Sequence, residues 1–313
     1  MERTRYFCAG AYPALQRTLF VSTFVPEAVN RADEVRLDVA GKAVNAARAL
    51  QRLGGAPVLG GFSGGSSGVE IERLLRAEGL DCRGLLAVEA PVRICQTILP
   101  SDGRPFTELV EEGPELDVST WEALVLHCRT CLPELGDGPI ILAGTMPDHA
   151  SLDFYPALIR MAQGPVILDT SGDALFAALS ARPDIVKINM DELQSSCALA
   201  DVGTESVVSM ARHILDKGVR VVGITHGAHT AFLFTQDDAW SFEIPSVEVV
   251  SALGSGDCVN AGMAFALVSG KSWVEAFAYG LACGSANAEV AKPGAIDAAR
   301  VAALLPRVKV SSL

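Results

Sequence analysis

Gly254, Ser255, Gly256 and Asp257 form the run GSGD, which follows the strand-like stretch SVEVVSAL (246–253) and opens the helical stretch CVNAGMAFALVSG (258–270). At a helix start the unpaired backbone N–H groups and the positive end of the helix dipole converge, and glycines let the backbone approach an anion closely. A carboxylate in the last place of such a turn stands beside the bound group, where it can take a proton from an attacking hydroxyl. The same letters also suit a tight turn in which Asp257 merely caps the helix, and spacing alone weights the two readings equally.

Other nucleotide motifs do not fit. No GxxxxGK[ST] occurs, so the phosphate cradle of the P-loop class is missing. GGFSGGSSG (60–68) follows a strand and precedes a helix, but its spacing is not GxGxxG, which leaves a dinucleotide-binding dehydrogenase as the weaker rival. His127, Cys128 and Cys131 make a local HCxxC. A structural zinc site wants four ligands, and no second CxxC or paired histidine follows. The eight cysteines, without dense or regular spacing over 313 residues, read as small apolar core groups in a reducing compartment.

Charge narrows the partners. The 25 Lys and Arg against 37 Asp and Glu give a formal charge of −12. Such a chain lacks the basic field that nucleic acid or an anionic membrane needs, so small solutes are expected, with no nucleic acid and no membrane. The uncharged stretches 258–270 and 276–288 fall short of the roughly 20 apolar residues that span a bilayer and read as buried helices. The N-terminus carries no apolar run long enough for a signal peptide, so the expected location is cytoplasmic.

Chemistry of this kind needs a scaffold. Apolar runs of four to seven residues alternate with longer amphipathic stretches, the pattern of βαβ units around a parallel sheet. The strand candidates are PVLGGF (57–62), PIILAG (139–144), PVILD (165–169), DIVKI (184–188) and VRVVGI (219–224), each reading as buried on both faces. Helical patterns run through Val44, Ala47, Leu50 and Leu53 to Gly54, through Ile71, Leu74 and Leu75 to Gly79, and through Val207, Met210, Ile214 and Leu215 to Gly218. Glycine is the usual C-terminal cap. Residues 16–39 and 92–112 break the alternation; VRICQTIL and FTELVEE read as strands joined by the turn SDGRP. Strands inserted twice without helices suggest a small separate sheet, a lid on a doubly wound domain.

GSGDCVNAG (254–262), AGKAVNAARALQRLGG (40–55), FTELVEEGPEL (106–116), AGTMP (143–147), VKINMDEL (186–193), ITHGAHTA (224–231) and CGSANAEVAKPG (283–294) occur in one ordered set. Together they resemble the PfkB, or ribokinase-like, carbohydrate kinases over nearly the whole chain, in particular the phosphosugar branch of 1-phosphofructokinase and tagatose-6-phosphate kinase. The resemblance implies a single α/β domain over 1–313, a ribokinase-like doubly wound, mainly parallel sheet flanked by helices, with a small β-sheet lid from about 12–39 and 92–112. It implies Asp257 as the base and Gly254, Ser255 and Gly256 as the hole for the transferring phosphoryl group. Gly41, Lys42, Asn45 and Thr145 are implied at the sugar, with Arg93 and Lys42 on the substrate's own phosphate. Lys187, Asn189, Thr225, Gly227, Gly284 and Asn287 are implied at the nucleotide, and Asn189 with Glu192 at Mg²⁺, largely through water.

The plain readings stand beside these. Lys42 could be a solvated lysine of an amphipathic helix, Asn189 and Glu192 ordinary helix-start residues, and 283–294 a segment of close helix packing through small residues. The chain also departs from the family's pattern. In YPALQ (12–16), Gln16 stands where an aspartate normally binds sugar hydroxyls; Ala40 and Ala43 replace glycines, Ile188 a proline and Thr230 another glycine. Cys258 stands where a small polar residue is common, and no base around it suggests a catalytic thiol. The implied activity is ATP- and Mg²⁺-dependent phosphorylation of a ketohexose phosphate, of fructose 1-phosphate or tagatose 6-phosphate type. Its alternatives are a kinase of an unphosphorylated sugar or nucleoside, or a silent sugar-phosphate sensor. Paired lids in a homodimer are implied by the family.

Overall fold

The computed structural model describes residues 3–196 and 204–313. Strand β1 (Arg5–Ala9) leads to β2 (Ala14–Val21), β3 (Glu34–Ala40) and helix α1 (Lys42–Arg52). Next come β4 (Ala56–Gly64), α2 (Gly65–Ala77), β5 (Asp81–Val88), β6 (Ile94–Pro100) and β7 (Thr107–Val110). Helices and strands then alternate through α3 (Val118–Cys131), β8 (Ile140–Ala143), α4 (Phe154–Met161), β9 (Val166–Asp169), α5 (Gly172–Leu179) and β10 (Ile185–Asn189). Helices α6 (Met190–Ser196) and α7 (Thr204–Leu215) precede β11 (Val221–Thr225), β12 (Ala231–Phe234) and β13 (Ala239–Glu243). The chain closes with α8 (Ser255–Val268), α9 (Trp273–Ala288), α10 (Ala298–Leu304) and β14 (Lys309–Ser312).

The main sheet has the order β14-β13-β12-β11-β10-β9-β8-β1-β4-β5. From β11 to β5 neighbouring strands run parallel, while β12, β13 and β14 add an antiparallel edge. Strand alternation divides its side chains between two cores: Tyr6 and Cys8 pack with α1, α2, α8 and α9, whereas Phe7 and Ala9 pack with α3 to α7. Both faces are therefore covered, which is why β8 and β9 read as uninterrupted apolar runs. The expected strands and the three expected helices are present. So are the two buried helices α8 and α9, whose close approach requires glycine: a Cβ on Gly262 would lie 2.8 Å from Gly280 Cα.

One strand joins those expected, and one local expectation is corrected. Strand β1 sits in the middle of the parallel sheet although its five residues RYFCA, opening on an arginine, carry too short a pattern to stand out. The stretch 246–253, expected as strand-like, forms no strand; Val249, Val250 and Leu253 are exposed. An apolar run becomes a strand only where an edge offers ladder partners, and the free side of β13 is taken by β14. The Val250 and Ser251 amides instead donate to Ala288 O at the end of α9.

The small sheet has the order β3-β2-β6-β7, with β2 and β6 parallel and the other pairs antiparallel. Val35, Leu37, Leu109 and Val110 remain exposed on it. Among the described residues, no helix is long and apolar enough to cross a membrane. The seven described cysteines are buried and unpaired, and Cys197 lies outside the described residues. His127, half-buried on α3, meets the Arg83 carbonyl, while the buried Cys128 thiol faces Gly84 O, so the HCxxC is part of a packed helix.

Candidate active site

The carboxyl ends of adjacent parallel strands bring the expected groups together. Thr145 follows β8, Asp169 ends β9, Asn189 ends β10 and Thr225 ends β11. In open α/β sheets this edge is where ligands bind. Helix α8 starts over it. Gly254, the residue before that helix, has φ 79° and ψ 1°, and a Cβ there would lie 2.7 Å from Pro293 Cβ; only glycine fits both the left-handed backbone and the crowding.

At Gly256 a Cβ would lie 2.8 Å from Lys187 Nζ, so the lysine ammonium rests against the backbone of the turn. The Ser255 amide donates to Ala252 O and that of Cys258 to Gly254 O, which leaves the amides of Gly256 and Asp257 at the open helix end. Positive potential thus gathers at one spot in an acidic protein. The Ser255 amide, expected in the anion hole, is spent on the turn itself.

Asp257 is 6% exposed and accepts a 2.8 Å hydrogen bond from Asn45 Nδ2. Burial, then the negative charge of Asp169, push its carboxyl up to about 7, against the opposing pull of Asn45, Lys187 and Lys42. The carboxyl thus holds its proton far more readily than an exposed aspartate does.

Behind it lies a charge cluster that centres on Asp169, a fully buried residue. Its Oδ2 accepts from Lys187 Nζ and from Asn260 Nδ2 (2.6 Å), and its Oδ1 accepts from Lys42 Nζ at 2.8 Å. Burial acts to raise the Asp169 carboxyl, but Lys187 and Lys42 outweigh it and hold the group well below the usual carboxylate range. Lys42 also donates to Glu192 Oε1 at 2.6 Å. Burial acts to lower Lys42, and the two carboxylates outweigh it, keeping the ammonium charged.

An open helix start with a buried carboxylate in its first turn, set on a mainly parallel sheet with a small second sheet, has close counterparts. Residues 11–300 match the pfkB family carbohydrate kinase model. The chain belongs to the pfkB family of carbohydrate kinases. As a pfkB kinase it is 28% identical over 305 residues to the 1-phosphofructokinase of Bacillus subtilis, covering 96% of this chain and 97% of that protein. Phosphofructokinase-2 from Escherichia coli in complex with fructose-6-phosphate has the same fold, with TM-score 0.82 at 24% identity over 98% of this chain and 99% of that one. Ribokinase from Thermotoga maritima follows at TM-score 0.75 and 18% identity, covering 97% and 100%.

The remaining expected residues of this pfkB kinase fall into three groups. Gly41, with φ 134°, starts α1, which carries Lys42 and Asn45; Thr145 is exposed after β8, and Gly227 is exposed after β11. Gln16 stands in the lid on β2, where its Nε2 donates to Thr97 Oγ1 of β6 at 2.8 Å. Arg93 precedes β6, and its buried Nε has no hydrogen-bond partner among the described residues. Lys42, expected with Arg93 at the substrate's phosphate, instead turns its ammonium to Asp169 and Glu192.

Two residues expected at the nucleotide serve packing. Asn287 is fully buried, donating to Leu253 O and Ser255 Oγ and accepting from the Gly294 amide and the Cys258 thiol. It locks the GSGD turn from behind. A Cβ on Gly284 would lie 3.0 Å from Ser255 O, so this glycine sets the spacing of α8 and α9. Asn189 and Glu192 cap α6 reciprocally: Asn189 Oδ1 accepts from the Glu192 amide (2.8 Å) and Glu192 Oε2 from the Asn189 amide (3.2 Å).

Asp169, Asn260 and Arg48 are the participants that sequence reasoning missed. The aspartate ending PVILD and the asparagine three residues after Asp257 were visible as buried polar letters in apolar runs, a signal for a satisfied polar network. A surface groove of about 710 Å³, lined by Gln163, Arg182, Arg220, Lys271 and Trp273, opens at the opposite, amino ends of the strands and contains none of these residues.

Proposed function

We propose that the protein transfers the γ-phosphoryl group of ATP to a hydroxyl of a ketohexose phosphate, of fructose 1-phosphate or tagatose 6-phosphate type. The placement of Asp257 carries this reading: a buried carboxylate poised near neutral pH, held by Asn45, in the first turn of a helix whose open end faces Lys187. Such a group is matched to take the proton of an attacking hydroxyl. The open amides and Lys187 stabilise the charge spread over the transferring group, and positioning supplies most of the rest. Thr225 and Gly227 border the phosphates.

Arg93 supports a phosphorylated acceptor, because a guanidinium at the root of a lid strand, its buried Nε without a partner among the described residues, suits a phosphate fork. Gln16 keeps its carbonyl end for a sugar hydroxyl, its amide being bound to Thr97. Mg²⁺ fits through water: Asn189 Oδ1 and both Glu192 oxygens already accept protein hydrogen bonds, and this hard cation keeps much of its hydration shell. Its charge would neutralise phosphate oxygens. The lid closes over the sugar and excludes water, and its exposed Val35, Leu37, Leu109 and Val110 support a homodimer through paired lids.

ADP release against fructose 1-phosphate, tagatose 6-phosphate, fructose 6-phosphate, fructose and ribose tests the proposal. Phosphosugar-dependent release should fall by roughly 10²- to 10⁴-fold in Asp257→Asn. Turnover untouched by that substitution removes the base, and binding without turnover makes the protein a sensor. Arg93→Ala should raise KM about tenfold or more for the phosphosugar and little for a free sugar; equal effects remove the phosphate clamp.

A further inference from the structure

Asn45 meets Asp257 through the donor end of an amide whose two ends have nearly the same shape. Something must decide which end faces the carboxylate. Its Oδ1 accepts from Arg48 Nη1 at 3.2 Å, one helical turn further along α1. A guanidinium donates and never accepts, so with Arg48 in place the Asn45 oxygen is drawn toward it and the NH₂ is left for Asp257.

Arg48 is itself held tightly. It is 3% exposed, forks Glu78 with Nε (2.7 Å) and Nη2 (3.0 Å), and donates from Nη2 to Asp38 Oδ1 at 2.9 Å. Asp38 belongs to β3, an outer strand of the lid. Lys292 completes the group, reaching Asp38 at 3.1 Å and Glu78 at 3.0 Å. Gly294, two residues on, presses so closely that a Cβ there would lie 2.5 Å from Asn45 O and 2.8 Å from Arg48 Cβ.

We infer that Arg48 is a positioning residue for the transfer: it fixes which end of the Asn45 amide faces Asp257, and through Asp38 it ties that orientation to the seating of the lid strand. The inference rests on the reading of Asp257 as the base. An inverted amide would present oxygen to the carboxylate and disfavour its ionised form. The other charges facing Asp257 come from Asp169 on β9, Lys187 on β10 and Lys42 on α1, and none of them touches Arg48.

Steady-state kinetics with MgATP and the best phosphosugar of the panel test this against pH. Arg48→Met should lower kcat about 10- to 100-fold, leave KM for ATP within about threefold, and move the acid limb of kcat/KM to higher pH. Arg48→Lys keeps a donor for Asn45 and should leave the acid limb in place. Asp38→Asn, a lid variant, should lower kcat while leaving the limb unmoved. A cooperatively melting Arg48→Met with native kcat and limb overturns the inference. If that variant does not fold, native kcat in Asp38→Asn overturns it. In an Asp257→Asn background Arg48→Lys should have no further effect, and an additive loss would also overturn it. Sugar-dependent turnover surviving in Asp257→Asn alone marks failure of the base reading instead.

Discussion

Two four-charge clusters flank the Asn45–Asp257 pair, and they differ in depth. One joins Asp169 and Glu192 to Lys42 and Lys187; the other joins Asp38 and Glu78 to Arg48 and Lys292. Each holds two cations and two anions. In the first, the Asp169 and Lys187 side chains are 0% and 3% exposed, and Asp169 acts directly on Asp257 by charge. In the second, Lys292 is 37% exposed and, among the described residues, the link to Asp257 runs through the Asn45 amide. Equal formal charge therefore gives unequal electrostatics: the buried cluster acts by charge on Asp257, whose carboxyl is raised first by burial and then by Asp169, whereas the lid-side cluster orients its hydrogen-bond partner.

The largest expected effect separates them by stability. Lys187→Met removes one cation from a dry carboxylate and should cost about 3 kcal/mol in urea unfolding, since breaking a buried pair leaves charge uncompensated. A loss below about 1 kcal/mol would mean that Lys42 alone satisfies Asp169, and the claimed difference in depth would have no energetic content.

A pH profile sharpens the contrast further. The carboxyl of Asp257 is raised, so its basic form is present above about 7 and is lost as pH falls through that value. The kcat/KM of the wild type should accordingly drop about tenfold per unit on the acid side. Asp169→Asn takes away a negative neighbour and should move that limb down by about one pH unit, whereas Glu78→Gln, in the other cluster, should leave it where it is. Equal movement in both variants would erase the division of labour.

The smallest effect belongs to the rim. Lys292→Met should cost under about 1 kcal/mol, because solvent already screens a partly exposed ammonium and Arg48 continues to serve both carboxylates. A cost matching that of Lys187→Met would place the two clusters on equal footing.

Much of the scaffold was legible in the sequence because its signals are short-ranged. Mostly apolar runs marked β8 to β11, since a strand covered on both faces shows no alternating polar side, and Lys187 in β10 is the buried exception. The turn SDGRP between two alternating runs marked the β6–β7 pair of the lid. The run 246–253 misled because its letters suit a strand while its backbone finds Ala288 instead of a sheet edge. Asn287 shows the limit of local patterns in a different way: its stretch reads equally as a ligand contact and as close helix packing, and the structure adds that its amide braces the turn.

The sequence by itself determined the doubly wound scaffold, the inserted lid and the helix start that carries Asp257, because glycine conformation, strand alternation and helix capping act over a few residues. Only the tertiary structure decided that Lys42 serves Asp169 and Glu192, that Asp169 raises Asp257, and that Arg48 fixes Asn45 from the lid side. Lys42 and Asp169 are separated by 127 positions, and Asn45 and Asp257 by 212. A charge buried in apolar surroundings must find its partner wherever packing puts one, and no local pattern records that choice.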